Sequence, residues 1–247
     1  MLNIFRKKPS FKTPGYFPIT TDIHSHILPG IDDGSPDIET SLVLINGMIE
    51  MGITHAVATP HIIGDMYRND RESITQALEK IKTALAEKKT SFTVSAAAEY
   101  MMDEYFLELI RNKIPLLTIK DNLVLTEFSY AEKPLNAQHM VFSMITEGYR
   151  PILAHPERYG YYHNDYKQFH YLNDLGFLLQ VNLLSLVGYY GKPVAKAAGY
   201  IIKNGLASFA GTDLHNDRHL QALLLPANRA IFEGIFAGKR MNAEMTF

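Results

Sequence analysis

Apolar positions along this chain recur with two periods. Ile38, Leu42, Ile45 and Ile49 stand at helical spacing, as do Ile74, Leu78, Ile81 and Leu85. Between such stretches lie short apolar runs of strand length: Ile19 to His26, Ile53 to Thr59, Phe92 to Ala98, Asn122 to Thr126, the segment from Pro151 to His155, Phe177 to Asn182 and Ala207 to Gly211. Ser35 with Pro36 behind it, and Asp37 and Glu39 in the first turn, predicts the start of one helix, and Gly52 its end. Asn69 followed by Glu72 predicts the start of the next. Further helices are expected over 103–112, 134–148 (with Val141, Met144 and Ile145 facing inward), 166–175, 194–204 and 226–238. Strands that alternate with helices form parallel sheets, and seven of them in a chain of 247 residues fit a closed β/α barrel better than an open sheet. The fold class is α/β, in one domain.

Composition narrows the chemistry. A net charge of -2 gives no general attraction to nucleic acid, so any phosphate recognition must be local. The absence of cysteine removes disulfides, thiolate metal sites and a phosphocysteine mechanism together. Arg6, Lys7, Lys8 and Lys12 mark residues 1–18 as a basic N-terminal extension to a domain over 19–247. No apolar run long enough for a signal peptide or membrane span follows, so a cytoplasmic location is expected. The extension is read as a solvated tail, with weak peripheral contact to an anionic membrane as the other reading.

The candidate chemistry sits where strands end. Side chains two apart on a strand share a face, so His24 and His26 project together, and the turn through Pro29 and Gly30 brings Asp32 and Asp33 close behind. His61, Glu99, Glu127, His155, Asp213 and His215 also fall at the ends of strands. In a β/α barrel these positions open onto one mouth, where reacting groups sit. So many carboxylates and imidazoles are costly to crowd together unless cations neutralise them. A ligand set of nitrogen and oxygen without sulfur suits Mn, Fe or Zn, and there are more ligands than one ion takes, so two or three ions are expected. Such a cluster activates water for attack on phosphorus, and Arg158 offers a planar fork for the phosphate oxygens.

Asp22-Ile23-His24-Ser25-His26, Ile31-Asp32-Asp33-Gly34, Thr59-Pro60-His61, Ala98-Glu99, Glu127-Phe128, Ala154-His155-Pro156-Glu157-Arg158 and Asp213-Leu214-His215-Asn216 together resemble the polymerase and histidinol phosphatase (PHP) superfamily. Within it, they are most similar to the bacterial manganese-dependent protein-tyrosine phosphatases of capsule and exopolysaccharide loci. The resemblance implies a distorted (β/α)7 barrel with three metal ions, Mn2+ foremost. One ion would be held by His24, His26, Glu99 and Asp213, a second by Glu99, Glu127 and His155, and a third by Asp33, His61 and His215. Arg158 matches the first of two phosphate-binding arginines of that family, and Arg218 is the nearest candidate for the second, though closer to His215 than the family pattern has it. The implied substrate is phosphotyrosine on a cognate bacterial tyrosine kinase, with Tyr130, Tyr159, Tyr161 and Tyr162 as candidates for the mouth.

Three other readings remain open on the residues alone. A small-molecule phosphatase of the same superfamily, such as a histidinol-phosphate phosphatase, would share the metals. An amidohydrolase also begins with His-x-His, but calls for a lysine where Glu99 and Glu127 stand. A barrel whose metals only stabilise a scaffold or kinase-binding surface has no use for Arg158.

Overall fold

The structure is a computed structural model and describes residues 17–237 and 240–245. Most of the basic extension expected over 1–18 lies outside the described residues. Phe17 is buried with its ring edge-on to Phe232 at a centroid distance of 5.8 Å.

The seven expected strands are all present, two of them in two pieces. In chain order they are β1 (Thr21–Asp22), β2 (His55–Ala58) with β3 (His61–Ile62), β4 (Thr93–Ala96) with β5 (Glu99–Met101), β6 (Leu123–Glu127), β7 (Arg150–Ala154), β8 (Leu178–Asn182) and β9 (Ala207–Gly211). Helices separate them: α1 (Ile38–Glu50), α2 (Arg71–Glu87), α3 (Glu104–Arg111), α4 (Ala137–Thr146), α5 (Lys167–Asp174), α6 (Leu183–Leu186) and α7 (Lys192–Lys203). After β9 come α8 (Asp217–Leu224) and α9 (Pro226–Phe236).

Every strand pairing is parallel, but no single sheet runs all the way round. One sheet has the order β1-β2-β4 and the other β3-β5-β6-β7-β8-β9. The break falls at Pro60 and at Ala97-Ala98. Proline has no N–H for the ladder, yet the Pro60 carbonyl still accepts from Glu99 N–H at 3.1 Å, and the Ala58 carbonyl from Ala97 N–H at 2.8 Å. Each broken strand is thus one extended path with a bend in it. Beyond β1 the chain stays extended against the segment after β9: Asp213 N–H donates to His24 O at 2.8 Å and His26 N–H to Leu214 O at 3.0 Å. The buried Asp22 carboxylate pins this seam by accepting from the backbone N–H of Thr212 at 3.0 Å and from its hydroxyl at 2.5 Å. On the other side Ser25 O accepts from Thr59 N–H at 2.8 Å. The distortion of the barrel is a split sheet joined through a hydrogen-bonded seam.

Strand alternation then sorts the core into two layers. Ile23, Val57, Ala97, Leu125, Ile152 and Phe209 cluster inside the ring, with Met245 from the C-terminal segment beneath them. Their neighbours Ala58, Val124, Leu153, Val181 and Ala210 face outward and pack with the helices. The lower interior is therefore filled mainly with apolar side chains, and the candidate ligands gather at the upper rim.

Several local expectations shift. α1 is capped by Asp37, whose side chain accepts from Thr40 N–H, because Ser35 instead donates its hydroxyl to Asp37 O. α2 is capped by Asp70 in a reciprocal box with Ser73, while Asn69 is drawn away to hold the carbonyls of Ile31 and His61. Ile145, read as inward, is exposed, and so is Ile49 from the stripe at helical spacing. Helices α6 and α8 were not anticipated.

Candidate metal centre

The rim gathers all nine residues expected there as metal ligands. His24 and His26 lie on the extended path after β1, His61 opens β3, Glu99 opens β5 and Glu127 closes β6. His155 follows β7 directly, Asp213 and His215 follow β9, and Asp33 enters from the loop before α1. Glu99 stands at the centre. Its Oε2 lies 3.2 Å from His24 Nε2, 3.3 Å from His26 Nε2 and 3.2 Å from His61 Nδ1, and its Oε1 lies 3.1 Å from His155 Nε2. Asp213 Oδ1 is 3.3 Å from His24 Nε2 and 3.3 Å from His215 Nδ1, and Asp33 Oδ1 approaches His61 and His215 at 3.4 and 3.5 Å.

The ligand atoms fall into four overlapping groups: His26, Asp33, His61 and His215; His24, His26 and Asp213; His24, Glu99 and His155; and His61, Glu99 and Glu127. Glu127 lies 2.9 Å from His61, and shares with His155 the lining of one cavity. His61 Nδ1, Glu99 Oε2 and Glu127 Oε1 are buried and make no hydrogen bond among the described residues. Buried polar atoms crowded to 2.9 and 3.2 Å of one another without hydrogen-bond geometry fit the inner shell of a divalent ion, which would satisfy all three.

Charge balance points the same way. Burial disfavours the His24 imidazolium, but the Glu99 and Asp213 carboxylates outweigh it and hold the group up to about 10. His61 is carried up to about 10 against its burial by Glu99 and Glu127. Burial and the neighbouring Glu99 charge push the Glu127 carboxyl up to about 7. Protons here compensate a surplus of buried carboxylate, the role a cation would take. His155 is different: burial, aided by the Arg158 charge, pushes it down to about 4 and keeps a neutral ring facing Glu99.

The backbone is bent to deliver these groups. His155 and Asp213 adopt φ of 35° and 51°, left-handed conformations that a residue with a side chain enters only at a cost. Gly34 is required because a Cβ there would collide with His26. Around these candidate ligands sits a layer of supporting groups, of which Asp32 was legible as a carboxylate and the others were not. Asp32 Oδ2 holds His26 Nδ1 at 2.8 Å and accepts from His61 N–H at 3.2 Å. Gln180 and Asn182, on the one strand without a ligand, bond to His24 and Asp213 at 2.7 Å each. Their signal was visible only as two polar positions, two apart, in an otherwise apolar strand.

Above the cluster opens a cavity of about 290 Å³ lined by Asp33, His61, Glu127, Tyr130, His155, Arg158, Tyr190, Asp213, His215, Asn216 and His219. Arg158 enters it with its guanidinium 4.3 Å from the ring centre of Tyr190 and 5.0 Å from that of Tyr130, donating to Asp213 Oδ2 at 2.8 Å. It does not pair with Glu157, which is buried and accepts from Asn182 N–H. Arg218 is exposed on α8 and outside the cavity; the helix contributes His219 instead. Of the four tyrosines expected at the mouth only Tyr130 lines the cavity. Tyr159 and Tyr162 belong to the core, and Tyr161 stacks on Tyr159.

Fold and site together define a β/α-barrel-type protein whose strand ends carry a buried carboxylate–imidazole cluster able to bind metal. More particularly, the chain belongs to the CpsB/CapC family of capsular polysaccharide synthesis, whose model matches residues 20–235. It is 31% identical to the CapC protein of Staphylococcus aureus over 195 residues, 79% of this chain and 76% of that protein. It is 28% identical to the tyrosine-protein phosphatase YwqE of Bacillus subtilis over 197 residues, 79% and 77% of the two chains. A solved structure from a study of YwqE and of CpsB from Streptococcus pneumoniae, described as metal-dependent tyrosine phosphatases, shares the fold with a TM-score of 0.75 at 24% identity. That match covers 90% of this chain and 96% of the other. Histidinol phosphate phosphatase from Lactococcus lactis is more distant, with a TM-score of 0.51 at 13% identity over 87% and 93% of the chains. Among the described residues no helix is long and apolar enough to cross a membrane.

Proposed function

We propose that the protein is a cytoplasmic, metal-dependent protein-tyrosine phosphatase that hydrolyses phosphotyrosine on a bacterial tyrosine kinase governing capsule or exopolysaccharide synthesis. The observation that carries this reading is the placement of Arg158 in the same small cavity as the ligand cluster. A structural metal site needs no cation-bearing fork pointed at it.

His24, His26, Asp33, His61, Glu99, Glu127, His155, Asp213 and His215 would hold two or three ions. Imidazole with carboxylate suits Mn2+, with Fe or Zn as the other fits. When bound, such ions supply Lewis acidity, making a nucleophile from water near neutral pH and neutralising charge on the phosphoryl group. Arg158 spends one amino group on Asp213 and keeps its remaining N–H donors for the non-bridging phosphate oxygens. The rings of Tyr130 and Tyr190, both within cation–π distance of the guanidinium, help hold the fork in place. The cavity lies at the small end of ligand pockets, a size for one side chain rather than a large cofactor. A phenolate leaves with a pKa of about 10, so the chain needs no strong general acid beside the bridging oxygen.

The test is manganese-dependent release of phosphate from a tyrosine-phosphorylated peptide, run beside histidinol phosphate, with elemental analysis of the purified protein. Preference for the peptide, abolished by chelation, is expected. A large preference for histidinol phosphate, or turnover indifferent to chelation, would overturn the proposal.

A further inference from the structure

Strand β8 is the one strand of the ring that ends without a metal-ligand candidate, yet its two inward polar residues are completely buried. Gln180 Oε1 lies 2.7 Å from His24 Nδ1, Gln180 Nε2 donates to Asn182 Oδ1 at 3.0 Å, and Asn182 Nδ2 donates to Asp213 Oδ2 at 2.7 Å. The backbone N–H of Asn182 is itself held by Glu157 Oε1 at 2.9 Å.

The chain of bonds has one direction. An ionised carboxylate only accepts, so Asp213 fixes which end of the Asn182 amide faces it. The Asn182 oxygen must then face Gln180, the Gln180 nitrogen must face Asn182, and the Gln180 oxygen is left facing His24. An acceptor at that distance requires a proton of His24 on Nδ1, so that it is Nε2, facing Glu99 and Asp213, that gives up its proton and offers a lone pair when a metal binds. Two ligands far apart in sequence are thereby set by one pair of amides.

Gly211 on the neighbouring strand supports this. It has no positive φ, so its conformation does not call for glycine, but a Cβ there would lie 2.8 Å from His24 Cβ and 2.9 Å from Gln180 Nε2. The missing side chain makes room for that apposition.

We propose that Gln180 and Asn182 are positioning residues that fix the Nδ1-protonated tautomer of His24 and the orientation of Asp213 for metal binding. This rests on the metal-binding reading of the cluster and is independent of the substrate assigned to it. Gln180→Met removes the acceptor at similar volume, whereas Gln180→Glu keeps an acceptor for His24. Zinc affinity is measured by competition with a chromophoric chelator, and the His24 tautomer of the zinc-loaded protein by long-range proton–nitrogen NMR.

The wild-type protein is expected to show Nδ1 protonated, and Gln180→Met to lose about 10- to 100-fold in zinc affinity, as for removal of other outer-shell partners. Gln180→Glu, which keeps the acceptor for His24 but loses the donor to Asn182, is expected to restore the Nδ1-protonated tautomer and only part of the affinity. Circular dichroism and thermal melts of the metal-free proteins separate misfolding from lost positioning. If Gln180→Met does not fold, Asn182→Ala read in the same two ways takes its place. A folded variant that binds zinc as the wild type does, or a wild-type His24 protonated on Nε2, overturns the inference. A wild-type protein that binds no metal overturns instead the reading of the cluster.

Discussion

Arg158 is tied at one amino group to Asp213 and packed against the rings of Tyr130 and Tyr190, so it meets a phosphate without first being ordered. Removing a preorganised donor of this kind costs about 10²- to 10³-fold in turnover. Arg158→Ala is expected to lower kcat/KM on a phosphotyrosine peptide by that factor while metal content, measured by elemental analysis, stays unchanged. Arg158→Lys recovers little, because a point charge cannot reproduce the fork. Loss of metal in step with activity would assign Arg158 to the cluster instead. Arg218→Ala, exposed and outside the cavity, is expected to leave both readouts within twofold. The contrast shows what residue-level reading can reach. Histidines and acids at strand ends are legible because residue type and strand position carry independent signals that coincide. Asp22, Gln180 and Asn182 are not, since each acts through a partner distant in sequence, and Asp32 is legible only as a carboxylate beside the histidines, not as the partner of His26. Tyr190 escaped because nothing near it in sequence marks the rim.

At the scale of elements, the clearest lesson is α1. Periodicity supports several neighbouring stripes on an apolar helix, and the stripe through Ile38, Leu42, Ile45 and Ile49 is rotated from the face that is buried, which carries Ser41, Leu44, Ile45, Gly47 and Met48. What decides between them is α8, a helix not anticipated: Leu220 packs where a Cβ on Gly47 would stand. A face buried by an unforeseen neighbour cannot be read from the helix itself. Leu44 is wholly buried and Ile49 is 40% exposed, so the two sites should separate sharply. Leu44→Ala is expected to destabilise the fold by about 2–5 kcal/mol. Ile49→Ala should stay within about 0.5 kcal/mol. Urea denaturation of both variants checks this, and equal losses would restore the stripe read from periodicity. The strands, by contrast, were legible nearly throughout. Buried parallel strands are short apolar runs, and their ends are fixed by the ligands they present. Only the split of two of them at Pro60 and Ala97-Ala98 depended on how the ring closes.

For the molecule as a whole, the first and last strands meet at a seam whose rim groups are themselves proposed ligands: His24 and His26 on one side, Asp213 and His215 on the other. Closing the ring therefore forces together the charges that most need compensation, and a cation held there ties the two ends of the domain to each other. Ligands that bind only the folded state stabilise it by mass action, by about 2.7 kcal/mol at a concentration 100 times the Kd. For a chain of this size about 1 kcal/mol moves Tm by about 2–4 °C. Manganese at that excess should thus raise the midpoint of the chelator-treated protein by about 5–10 °C, read by scanning calorimetry. Glu99→Gln, which removes the carboxylate touching His24, His26, His61 and His155, should forfeit most of the rise even though its own metal-free midpoint need not fall. A midpoint indifferent to manganese in the wild-type protein would mean that the seam closes on its hydrogen bonds alone, and that the crowded rim is balanced by protons.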